Sequence, residues 1–173
     1  MKYEILDSLP NYGPMYVPVT GDDEPYYSQG FAVRFYKDDN SEWVANFKPG
    51  WSKLNLVYEF DKQQHFLVIA GGVCYIMSRN DTKAIDVFGD GYESVIVARD
   101  GRLILQDTTY ITVLEPNGEH WNSETISWDG LKDLKLDGNV ITGLSYDPMN
   151  KQNEWVGFCY NLDTKVLSGG SYK

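Results

Sequence analysis

Residues 92–130 read YESVIVARDGRLILQDTTYITVLEPNGEHWNSETISWDG. This stretch divides into four short apolar runs: Tyr92 to Ala98, Leu103 to Gln106, Tyr110 to Glu115 and Thr125 to Trp128. Asp100-Gly101 parts the first two runs, and Pro116-Asn117-Gly118 parts the last two. Asp-Gly and Asn-Gly supply the positive φ angles of a tight primed turn, because glycine has no Cβ to clash. Short runs rich in Val, Ile and Tyr between such turns are strands. The stretch therefore predicts a four-stranded antiparallel meander.

The unit recurs. Glycines that close a unit fall at Gly50, Gly91, Gly130 and Gly170, with separations of 41, 39 and 40 residues. Two further marks keep the same phase. Asp81-Thr82-Lys83 and Asp163-Thr164-Lys165 are identical tripeptides 82 residues apart, each placed between a third and a fourth strand. Asp100-Gly101 and Asp137-Gly138 lie 37 residues apart and mark the turn between a first and a second strand. Repetition of a four-stranded unit about every 40 residues is the signature of stacked meanders such as propeller blades. The predicted fold is all-β and propeller-like, a single repeat domain of about four units at 1–50, 51–91, 92–130 and 131–173. A rolled β-sandwich or open barrel is the alternative architecture. In the first unit, Tyr3 to Leu6 and Met15 to Val19 are the expected first two strands, and Phe31 to Tyr36 and Glu42 to Phe47 the last two.

Composition sets the functional frame. A chain of 173 residues buries roughly 70% of its unfolded surface, enough for a full core. The net charge of −10 argues against nucleic acid, whose binding depends on neutralising phosphates with Lys and Arg. No apolar run reaches the length of a membrane span, and Met1 to Asp7 lacks the continuous apolar region of a signal peptide. A cytoplasmic location follows as the expectation. Cys74 and Cys159 both fall in predicted third strands and are expected to be reduced, buried thiols.

The longest stretch outside the strand pattern holds Gly21-Asp22-Asp23-Glu24-Pro25-Tyr26-Tyr27. Function concentrates in such insertions, and rigid aromatics beside carboxylates suit a basic partner surface. Asp38-Asp39 in the following hairpin turn extends the same chemistry. A solvated acidic loop is the competing reading. The alternating Asp-x-Asp-x-Asp-Gly pattern of a calcium loop is missing, so no metal is assigned. Among the tryptophans, Trp43 and Trp155 alternate with polar neighbours and are expected to face sheet interiors. Trp51 and Trp121 lie in or near turns and are the candidates for exposure, suited to stacking on sugars or to packing between sheets.

Nothing here spells a catalytic centre. His65 and His120 are the only histidines, too few for a three-histidine zinc site or, without a matched acid and nucleophile, a hydrolytic triad. Gly71-Gly72 follows a strand and opens no helix, so it is a hairpin turn and not a phosphate cradle. The sequence thus predicts a non-catalytic, cofactor-free acidic protein. Its expected partner is a basic protein held by Asp22, Asp23, Glu24, Tyr26, Tyr27, Asp38 and Asp39; an immunity-type inhibitor masking a basic toxin is one instance. A carbohydrate-binding or glycan-processing module using Trp51 and Trp121 is the second expectation. The third is homo-oligomerisation, through an edge strand at Met15 to Val19 or Ser168 to Tyr172.

Overall fold

The computed structural model describes residues 2–60, 65–149, 151–152 and 154–172. Among these residues there is no helix, and sixteen strands form four four-stranded sheets. The chain is all-β. The first sheet holds β1 (Tyr3–Leu6), β2 (Val17–Val19), β3 (Phe31–Tyr36) and β4 (Glu42–Phe47). The second holds β5 (Leu56–Phe60), β6 (His65–Ala70), β7 (Val73–Ser78) and β8 (Ala84–Phe88). The third holds β9 (Ser94–Val97), β10 (Leu103–Gln106), β11 (Ile111–Leu114) and β12 (His120–Asn122). The fourth holds β13 (Leu131–Asp137), β14 (Val140–Asp147), β15 (Glu154–Asn161) and β16 (Val166–Gly169). The last three sheets are antiparallel meanders in which each strand pairs with its sequence neighbour.

Two details differ from the sequence reading. In the first sheet the order is β1-β3-β4-β2, and β2 pairs parallel to β4 instead of joining β1. Pro18 donates no amide, so β2 is confined to an edge, and the connection from Asp7 to Tyr16 lets the chain cross to the free side of β4. In the third sheet the fourth strand is His120–Asn122, not Thr125 to Trp128. The Asn117-Gly118 turn closes at once, with Glu115 N donating to Glu119 O at 2.8 Å, so pairing resumes at His120. Residues 125–128 instead lead toward the next sheet, held by Ile126 N to Thr109 O at 2.8 Å.

The chain forms two compact units, residues 1–91 and 92–173. In the first, one face of each of its two sheets contributes to a shared core of Val33, Phe35, Trp43, Phe47, Phe66, Val68, Tyr75 and Met77. Phe35 stacks on Trp43 at 5.3 Å between centroids and meets Phe66 edge-on at 5.5 Å. In the second unit the core joins Ile104, Ile111, Val113 and Ile126 to Leu131, Ile141, Phe158 and Tyr160. The alternation along the strands makes these faces: within β15, Phe158 and Tyr160 are buried while Gly157 and Cys159 between and beside them are exposed. Cys159 is therefore exposed, contrary to the expectation of two buried thiols, and Cys74 is buried.

Side chains of the turns hold neighbouring turns together inside each unit. In the first unit Asp38, between β3 and β4, meets Arg79 and Asn80, between β7 and β8; Asn80 Nδ2 donates to Asp38 Oδ2 at 2.8 Å. In the second unit Arg102 lies against three turns at once. It donates to Asp100 Oδ2 at 2.8 Å and Asn139 Oδ1 at 3.0 Å, and lies 3.7 Å from Asp163. Asp100-Gly101 and Asp163-Thr164-Lys165 occupy two of these turns.

The linker from β4 to β5 is fixed by close backbone contact. Gly50 N donates to Ala70 O at 3.0 Å, Trp51 N to Asp90 O at 2.9 Å and Ser52 N to Gly71 O at 2.9 Å. A Cβ on Gly50 would stand 2.1 Å from Asp90 O and 2.8 Å from Gly71 O, which backbone cannot accommodate without moving. Among the described residues, no helix is long and apolar enough to cross a membrane.

Gly50→Ala is expected to destabilise the protein by about 2 kcal/mol or more through overpacking against fixed backbone. Gly157→Ala, where a Cβ meets nothing within 4 Å, is expected to be neutral or slightly stabilising. Urea unfolding midpoints measure both, and equal midpoints for the two variants would contradict the close approach. Arg102→Ala is expected to cost on the order of 1–2 kcal/mol. The hydrogen bond from Arg102 holds the Asp100 carboxyl below its ordinary value. The stabilisation from Asp100 is then complete above an unfolded value of about 3.9 and is lost as pH falls through the lower folded value. Arg102→Ala should remove that share of the acid sensitivity, read as a flatter stability profile below about pH 4.

Candidate binding site

The linker amides that tie Gly50, Trp51 and Ser52 to the second sheet leave the Trp51 indole outside. Trp51 is 90% exposed, although its backbone is fixed on both sides. It borders a cleft of about 480 Å3 whose apolar walls are Pro49, Val73, Tyr75 and Val87, with Lys48 and Asp90 among its other lining residues. Val73 and Val87 also pack on the core of the first unit, so those walls are anchored. Tyr75 is buried, and its hydroxyl donates to Lys48 O at 2.7 Å. Burial first, and then Tyr26, pushes the Tyr75 phenol up to about 12, so this wall is a neutral, fixed ring at ordinary pH.

The acidic insertion borders the same cleft. Gly21 lines it, and Glu24 pairs with Lys48 at 3.3 Å. Asp23 pairs with Lys83 at 3.0 Å, on an exposed edge where both side chains are more than half free. Asp22 is exposed and, among the described residues, has no ion-pair partner. Tyr26 is half-buried, with its hydroxyl donating to Gln29 O at 3.2 Å, whereas Tyr27 is 83% exposed. Exposed ion pairs of this kind contribute about 0–1 kcal/mol, so these carboxylates can exchange an internal lysine for an external cation at little cost.

Asp38 and Asp39 sit elsewhere. They occupy the turn before β4, whereas Lys48 follows that strand, and its six residues span roughly 20 Å. Asp38 is engaged with Arg79 and Asn80. Asp39 accepts from the Ser41 hydroxyl at 2.6 Å and the Ser41 amide at 2.9 Å, and these bonds hold its carboxyl below the ordinary carboxylate range. Both have local structural work; of the acidic insertion, Gly21 lines the cleft and Glu24 reaches its wall through Lys48.

The tryptophans sort differently from the sequence reading. Trp43 is buried as expected. Trp121 is half-buried, not exposed: its Nε1 donates to Glu115 at 3.1 Å, Lys165 Nζ lies 4.2 Å from its ring centroid, and it packs on the core of the second unit. The turn at Asn117-Gly118 puts it inside β12, which is why its position near a turn misled. Trp155 is 39% exposed where an interior position was expected, because Phe158 and Tyr160 set the opposite parity for β15. It stands 5.3 Å from Tyr146, with Lys132 Nζ 3.9 Å from its centroid. Trp128, read as part of a strand, is exposed and packs 4.5 Å from Tyr172. The buried parity residues Phe158 and Tyr160 carried the signal for Trp155; a shorter third meander carried it for Trp128.

Burial pushes the Cys74 thiol far up, which leaves it an inert core group. His65 is half-buried in the first unit and His120 is exposed in the second. Among the described residues, no group of three or more His, Cys, Asp or Glu side chains is arranged to hold a metal ion.

Comparison with protein-family models and with curated proteins finds no match for this chain.

Acrylamide quenching checks the placement of the indoles. Trp51→Phe is expected to remove the most quenchable, most red-shifted share of the tryptophan emission, and Trp121→Phe a poorly quenched share. The reverse result would contradict the assignment.

Proposed function

We propose that this protein is a non-catalytic binding module that holds a basic protein partner at the Trp51 cleft, with Asp22, Asp23, Glu24 and Tyr27 as the surrounding rim. The observation that carries this reading is an indole 90% exposed on a backbone fixed by three consecutive amide hydrogen bonds. A backbone that is already ordered has less entropy to lose on binding, and Trp and Tyr dominate the energetics of protein interfaces. The neighbouring acids supply attraction and orientation for a cationic surface. The net charge of −10 is shared evenly between residues 1–91 and 92–173, so total charge alone does not choose the site. The cleft does.

The test is retention of a basic protein by immobilised wild-type protein at low and at high salt, repeated with Trp51→Ala and with Asp22, Asp23 and Glu24 all changed to Ser. The expected result is a protein held at low salt, released at high salt, and bound at least about tenfold more weakly by each variant. Retention unaffected by both variants would overturn the assignment.

A carbohydrate reading draws support from a different place, the second unit, where exposed Trp128 lies against Tyr172 and exposed Trp155 against the half-buried Tyr146. Flat rings of this kind stack on the apolar faces of sugars. A panel of oligosaccharides should then shift tryptophan emission in wild type and not in Trp128→Ala. A flat response across the panel removes this reading.

A further inference from the structure

Each of the other four indoles is already occupied by the protein itself. Trp43 stacks on Phe35 and Trp128 packs on Tyr172. Lys132 lies over Trp155 at 3.9 Å and Lys165 over Trp121 at 4.2 Å. Among the described residues, neither a ring nor a cation covers Trp51. Two of the four occupied indoles thus carry a cation over the ring, which is the contact an electron-rich indole face favours most. Trp51 is left with that valence open, beside carboxylates.

We propose that the Trp51 cleft takes an arginine side chain, its guanidinium against the indole and toward the Asp90 carboxylate, its methylene stem along Val73 and Val87. The proposal rests on the basic-partner reading above and names the group that this partner must present. Three features select arginine. The first is charge: Asp90 and Asp22 have no ion-pair partner among the described residues, and the one cation lining the cleft, Lys48, is already met by Glu24 at 3.3 Å. The second is the wall chemistry: Pro49, Val73 and Val87 offer apolar contact that a bare inorganic cation would not use but a long aliphatic stem would. The third is shape. A planar, weakly hydrated guanidinium stacks on an aromatic face and meets a carboxylate with a fork of donors, whereas a lysine ammonium is a strongly hydrated point charge. The volume of about 480 Å3 falls within the roughly 300–1,000 Å3 of ligand clefts, so the side chain enters with flanking backbone.

Hexaarginine and hexalysine peptides, equal in charge, separate the arginine claim from general attraction to an acidic protein. Binding is measured by calorimetry at low salt, with the Trp51 indole N–H followed by NMR. The expected result is hexaarginine binding at least about threefold more tightly than hexalysine, with the Trp51 indole resonance moving. Trp51→Ala should abolish that preference, and Trp51→Phe should keep part of it. Asp90→Asn should reduce it. Since the indole is almost fully exposed, the Trp51 variants are expected to melt with the wild type, and a melting check confirms that they fold. Equal binding of both peptides, weakened by changing Asp22, Asp23 and Glu24 to Ser but indifferent to Trp51→Ala, would overturn the arginine cleft and leave the basic-partner reading standing. No binding of either peptide to wild type would overturn both.

Discussion

The contact on which the first unit depends is a close approach of backbone to backbone at Gly50. Three consecutive amides of the linker are spent on the carbonyls of Ala70, Asp90 and Gly71, and the fit leaves no room for a Cβ. A Cα that stands this near the Asp90 and Gly71 carbonyls leaves space only for glycine. The consequence runs from packing to the surface. With its amide tied to Asp90, Trp51 has a fixed backbone, and its side chain is left with water on nearly every side. The backbone is fixed there, and the ring gains little burial.

The distribution of the acids follows a related logic. Asp38, Asp39 and Asp100 are used inside turns, where hydrogen bonds from Asn80, Ser41 and Arg102 give each carboxylate a structural task. Asp22, Asp23 and Glu24 have at most one exposed lysine each. All six carboxylates are exposed, and the geometry of their partners is what tells the two groups apart. Charge counts alone do not.

Much of the fold was legible because glycine and aspartate fix turns locally. Asp100-Gly101, Asn117-Gly118, Gly71-Gly72 and Asp137-Gly138 all close hairpins, and the four sheets fall in the intervals that the spacing of Gly50, Gly91, Gly130 and Gly170 marks. What failed to be legible was non-local. The parallel seat of β2 on β4 depends on where a long connection crosses, and Pro18 signals an edge without saying which one. Strand parity was readable in β15 from Phe158 and Tyr160, yet Trp155 was assigned from its polar neighbours instead. At the candidate site, the acidic insertion and Trp51 were each visible in the sequence. That they meet at one cleft was not, because Gly21, Trp51 and Asp90 are brought together only by the pairing of the first unit's sheets.

Trp51 carries a solvent-exposed ring on a fixed backbone. Hydrogen exchange resolved at single amides tests it most directly. The Gly50, Trp51 and Ser52 backbone amides should be protected to the level of the β6 and β7 core, while the Trp51 indole N–H exchanges at the rate of free indole. Backbone amides exchanging as fast as those of the Asp22-Asp23 loop, or a protected indole, would contradict the account.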